Sequence, residues 1–181
     1  FLVIFLCREI TFFSRHMTAD NEKILYFVKN FSFKKWPSSF RKEGSRLECR
    51  EFWFLALFLL SKLFKNPQKE IVNVTLCLIS NMANTILIYL IAAKIFSYET
   101  AFICSMLYLS SFWPFQVSIY FGHIIYSTMW FLISLLAIAY INIEDIYSIL
   151  IFSFLSGVTC FICFASSSSS RKYPPMIFLF L

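Results

Sequence analysis

The chain has 181 residues, of which 59% are hydrophobic, 20% aromatic and 14% charged, with a mean hydropathy of +0.72. Soluble domains carry roughly 25% charged residues, and a single water-soluble core has no use for 24 Phe, so the composition argues against a soluble domain and for a polytopic, all-α membrane protein. The net charge of +6 is concentrated: twelve of the 16 Lys and Arg fall between Arg15 and Lys69, beside six of the ten acids (Asp20, Glu22, Glu43, Glu48, Glu51 and Glu70). No nucleic-acid module accompanies this basic stretch, so nucleic acid is not the expected partner; membrane lipid headgroups, or a phosphate-bearing substrate at the membrane surface, are.

In chain order, residues 1–13 form an apolar run that reads as part of a first membrane helix, with Arg8 and Glu9 reaching the interface along their own stems. The chain opens on Phe1 within one apolar run and closes at Leu181 within another, which leads us to expect an internal piece of a longer protein. No secretory leader is recognisable, for want of a basic start and a small-residue cleavage site. Residues 14–70 form a long polar connection. Inside it, Ala19 to Phe31 is expected to be a short helix, capped by Asp20 and striped by Ile24, Leu25, Phe27, Val28 and Phe31. Glu51 to Phe64 holds an apolar stretch too short to cross, bracketed by Arg50, Lys62 and Lys65, and is expected to lie at the membrane surface.

The crossings come next. Residues 71–93 are uncharged and carry Asn73, Asn81 and Asn84, the last two on one helix face, where buried amides bond to neighbouring helices. From Thr100 to Ile143 there is no Lys, Arg, Asp or Glu, a stretch long enough for two crossings at about 20 residues each. Trp113-Pro114 and Gly122-His123 divide it into spans at 101–118 and 124–142. A turn at Asn142 to Asp145 leads to a last span at 146–165, and the Ser tract, Arg171-Lys172 and Pro174-Pro175 read as a loop. Two crossings separate residues 14–70 from the Phe121 to His123 turn, which puts both on one side. The six Cys lie almost entirely in apolar runs, and Cys160-Phe161-Ile162-Cys163 lacks the second ligand pair that zinc requires, so they read as small buried hydrophobes with no metal site. The sequons Asn30-Phe31-Ser32 and Asn73-Val74-Thr75 are formal matches only.

The order of these pieces resembles the start of the GT-C membrane glycosyltransferases, the class of protein O-mannosyltransferases and aminoarabinose transferases. The residues that carry the likeness are Thr18-Ala19-Asp20-Asn21-Glu22-Lys23-Ile24-Leu25-Tyr26 as the acidic loop motif and Glu51 to Phe64 as the surface helix. Asn84 to Ser97 stands as the second span with its basic turn, and Leu109 to Phe115 as the Ser-Pro-type end of the third. The family tends to place its two acids side by side, whereas Asn21 separates Asp20 from Glu22; where the family often has an acid opening the fourth span, this chain has Gly122-His123.

The resemblance implies a GT-C-like bundle with amphipathic juxtamembrane helices in its first long loop, in the bacterial cytoplasmic membrane or the endoplasmic reticulum. It implies transfer from a polyprenyl-phosphate sugar donor to a protein, lipid or glycan acceptor at the outer or lumenal face. Asp20 would be the catalytic base, although a helix cap explains an Asp there equally well. Arg8, Arg15, Glu22, Lys23 and His123 would bind substrate, with His123 otherwise a polar residue facing water at a helix end. Beyond the lipid-linked donor no cofactor is implied, and a divalent metal, although compatible with the reaction, is not indicated. The concentration of Lys and Arg in residues 14–70 favours a cytoplasmic position for that loop, opposite to the side the resemblance gives it. A non-enzymatic membrane protein, either a transporter or an assembly subunit, is the other reading; three Gly and the uncharged spans between Ile71 and Ile143 count against transport.

Overall fold

The computed structural model describes residues 51–63, 69–111 and 122–166. The expected partial span at 1–13 and the loop to residue 50, with its short helix, lie outside the described residues. Among the described residues all regular structure is helical: α1 (Glu51–Leu63), α2 (Lys69–Ile95), α3 (Tyr98–Ser110), α4 (Gly122–Ala139) and α5 (Ile146–Ser166). At 1.5 Å per residue α2 is about 40 Å long, α4 about 27 Å and α5 about 31 Å, against a bilayer core of about 30 Å. Three segments are long and apolar enough to cross a membrane: Thr75–Ile95, Gly122–Ala139 and Ile146–Ser166.

Local chemistry sets the helix ends. Ser97, in extended conformation, caps α3 by accepting a bond from the Thr100 N–H, and Glu99 follows in the first turn. The Ser97 hydroxyl and the Glu99 backbone N–H hold the Glu99 carboxyl below its ordinary pKa. At the other connection, Tyr140 N–H is shared between the Leu136 and Ala137 carbonyls, which tightens the last turn of α4. Asp145 then caps α5, its Oδ1 accepting from the Tyr147 N–H at 3.0 Å. The third expected span, 101–118, is described only as far as Ser111. Helix α3 closes at Ser110, and Ser111 is extended at ψ 135°; the Ser110 hydroxyl donates back to the Leu107 carbonyl, and residues 112–121 lie outside the described residues.

Helices α2 and α4 run parallel, with α3 and α5 antiparallel to them. The register is fixed at three heights along α2 and α4: Gly122 sits against Cys77, the Ile125 carbonyl against Asn84, and Lys94 lies over the Tyr140 ring at 5.0 Å. Helix α5 descends beside α4, with Tyr140 stacked on Phe152 near one end and the Ser134 hydroxyl bonded to both the carbonyl and the hydroxyl of Ser156 further along. The short helix α1 occupies the end where α2 and α4 begin. Its Trp53, Phe54 and Leu57 are buried with Val72, Leu76, Cys77 and Tyr126, and Phe52 meets Phe161 of α5 edge-on. The helix expected at Glu51 to Phe64 therefore forms, and it packs through a face of three large side chains.

The polarity of α2 is inverted relative to a helix in water. Asn73, Ser80, Asn81, Asn84 and Thr85 point inward and are buried, while Ile79, Met82, Ile86 and Leu90 point outward. Helix α5 repeats the pattern, with Ser156, Thr159 and Ser166 inside and Ile151, Phe154 and Phe161 outside. Several inward hydroxyls satisfy themselves on their own helix: Ser80 donates to the Leu76 carbonyl, Thr85 to that of Asn81 and Ser166 to that of Ile162. Small, self-satisfied polar groups let neighbouring backbones approach closely without stranding a donor in an apolar medium.

Candidate functional site

The described part of the candidate site is the end of the bundle where α1 meets the start of α4. Gly122 and His123 open α4 there, and a Cβ added at Gly122 would lie 2.5 Å from the Cys77 Sγ and 3.0 Å from the Trp53 ring. Only glycine allows α1, α2 and α4 to close on one another at this point. Trp53 fills the notch and contacts Tyr126 edge-on at 5.5 Å between centroids, and Tyr126 in turn meets Trp130 at 6.0 Å. His123 stands at the head of this aromatic series and is 4% exposed. The view of His123 as a residue facing water at a helix end is thereby corrected: its side chain is buried, which the sequence pattern of an uncapped helix start does not reveal.

Further into the bundle lies a polar bridge. Asn84 Nδ2 donates to the Ile125 carbonyl at 3.1 Å and to Tyr108 Oη at 3.2 Å, and Tyr108 Oη donates to Asn81 Oδ1 at 3.3 Å. The inter-helix bonding expected of Asn81 and Asn84 is present, tying α2 to α3 and α4. Asn84 Oδ1 is buried and accepts nothing. The Asn73 side chain is also buried, with the Cys77 thiol 4.0 Å from its Oδ1, so the Asn73 sequon is closed to a glycan.

Of the residues singled out in the sequence, Asp20, Arg8, Arg15, Glu22 and Lys23 lie outside the described residues, and His123 is the one the structure positions. Trp53, Tyr126 and Tyr108 were missed because each sits in an apolar run where one aromatic looks like the next. Gly122 was visible, but as a turn signal and not as a packing notch. Among the described residues no three His, Cys, Asp or Glu side chains gather into a metal-binding group, and Cys77, Cys104, Cys160 and Cys163 form no disulfide. No known protein family, curated protein or solved structure matches the chain.

Proposed function

We propose that this chain belongs to a multi-pass membrane glycosyltransferase that moves a sugar from a polyprenyl-phosphate donor to a hydroxyl acceptor. The order of its sequence motifs supports this reading, and so does one observation of the fold. Trp53 of α1, the helix that follows the acidic loop, touches Gly122 and Tyr126, so that helix and His123 occupy the same end of the bundle. A shared end is what a site assembled from the loop and the start of α4 requires.

In the proposed reaction the acceptor hydroxyl oxygen attacks the anomeric carbon of the sugar. The bond from that carbon to the lipid phosphate oxygen breaks, and the phosphate leaves with the electron pair. Asp20 takes the acceptor's proton during attack, which raises its nucleophilicity. Arg8, Arg15 and Lys23 supply positive charge to the departing phosphate, and His123 joins them when protonated. Glu22 is assigned to the acceptor side. The decisive experiment is transfer from a panel of polyprenyl-phosphate sugars in membranes that express the full-length protein containing this chain. Asp20→Asn keeps size and capping ability but cannot accept a proton, and the expected loss is roughly 10²- to 10⁴-fold in rate at unchanged protein level. Activity within about threefold of wild type would leave Asp20 a helix cap and remove the central residue of the proposal.

A second reading, an assembly subunit without catalysis, is favoured by one feature. The span formed by α5 is only 17% buried, leaving an apolar flank that a neighbouring subunit would cover as readily as lipid. Wild-type membranes inactive on every donor, with the chain recovered in a stable complex, would favour this reading over the transferase.

A further inference from the structure

Trp53 is 1% exposed, and its indole Nε1 is buried with no hydrogen-bond partner. An indole N–H normally finds a partner when buried. Among the described residues the side chain is held by packing: the Gly122 notch on one side, the Tyr126 ring on another and the Cys77 thiol beneath. The seat therefore joins a large apolar burial, which favours docking, with a stranded donor, which opposes it. An unpaired buried donor shifts such an equilibrium towards release by roughly 5- to 150-fold. Lys62 and Leu63, in the last described turn of α1, are already exposed. Once withdrawn to the edge of the bundle, the indole N–H regains an oxygen acceptor, either water or a lipid ester carbonyl.

We propose that α1 is a releasable strap, pinned over the start of α4 by Trp53, whose stranded indole N–H keeps the docked and released positions close in free energy. Docked, the strap covers Cys77 and Gly122 at the start of α4; released, it opens both. The device goes beyond the transferase reading and does not depend on it, since it concerns access to one end of the bundle whatever is bound there.

Cys77 is a built-in reporter, being wholly buried beneath the strap and held in no disulfide. Its alkylation rate by N-ethylmaleimide, followed by peptide mass spectrometry on the chain in lipid nanodiscs, is proportional to the released population when docking is fast. Replacing Trp53 with benzothienylalanine keeps the ring shape and removes only the N–H. The strap then closes more tightly, and the Cys77 rate is expected to fall at least about fivefold, within the range that relief of an unpaired donor gives. Gly122→Ala fills the notch against both the Cys77 Sγ and the Trp53 ring and is expected to raise the rate at least about tenfold, since an added methyl group at a tight contact forces its neighbours apart. Static packing gives the opposite or nothing: a Cys77 rate unchanged or raised by benzothienylalanine, or a thiol unreactive in wild type and both variants, overturns the proposal.

Discussion

Asn84 allows a quantitative test of how the bundle is held together. Its Nδ2 makes two bonds, to Tyr108 Oη and the Ile125 carbonyl, while its Oδ1 is buried and unpaired. Asn84→Leu removes both bonds, and at about 0.6 kcal/mol each, with a ceiling near 1.7, this loses about 1–3 kcal/mol. The same change removes the stranded acceptor, which returns about 1–3 kcal/mol. Leucine is of similar length, so no large cavity adds to the balance. The two terms nearly cancel, and Asn84→Leu is expected to leave stability within about 1 kcal/mol of wild type. Tyr108→Phe behaves differently. It deprives Asn81 Oδ1 of this donor and Asn84 Nδ2 of one acceptor and relieves nothing, so it is expected to cost about 1–2 kcal/mol. Adding Tyr108→Phe to Asn84→Leu should then cost less than it does alone, and the double-mutant cycle measures the difference. Reversible unfolding by SDS titration in mixed micelles gives all four stabilities. A loss above about 3 kcal/mol for Asn84→Leu would mean that a donor does reach Oδ1, and the account of an unbalanced amide would fail.

Two further predictions follow from the connections. Lys62→Cys on α1 and Asn142→Cys in the α4–α5 turn, both exposed positions at opposite ends of the bundle, should react with a membrane-impermeant maleimide from opposite sides of sealed vesicles; reaction from one side only would rule out α2 and α4 as crossings. The Glu99 carboxyl, held below its ordinary pKa by the Ser97 hydroxyl and its own backbone N–H, supports the α3 start while ionised. That support is complete above the unfolded carboxyl value, about 4.3, and is lost as pH falls through the lower folded value, so stability should drop less steeply on acidification in Glu99→Gln than in wild type. Identical slopes would show that the cap does not feel the charge.

The long elements were legible in the sequence because charge marks their limits. The uncharged run expected at 71–93 became Lys69–Ile95, and that expected at 146–165 became Ile146–Ser166, each within two residues. The turn at Asn142 to Asp145 was readable because Asn and Asp bond their own backbone, as Asn142 Oδ1 does to the Glu144 N–H at 3.2 Å. The helix within the fourth expected span, 124–142, runs Gly122–Ala139, for apolar residues such as Ile141 continue past the point where the backbone has turned. What could not be read was which side chain of α1 is the anchor. Its residues are apolar almost all round, so periodicity assigns no inner face, and Trp53 is distinguished only by the notch at Gly122, far away in sequence. The burial of His123 was hidden as well, since nothing in the run that follows it distinguishes a buried helix start from an exposed one. Of the candidate site, one residue in six was within reach of the structure, because Asp20 and its basic neighbours lie outside the described residues.

The inverted polarity of α2 and α5 reverses the usual meaning of a conservative substitution. On most helices a Ser exchanged for Leu is dangerous at the surface, where it makes a sticky patch, and welcome in the interior. Here Ser134 and Ser156 meet across the contact between α4 and α5, and a larger apolar residue would wedge the helices apart. Outward positions such as Ile86 and Phe154 would instead accept almost any apolar shape while rejecting a polar one. A complete substitution scan of this chain should thus read like the photographic negative of a water-soluble bundle, with size policed inside and polarity policed outside.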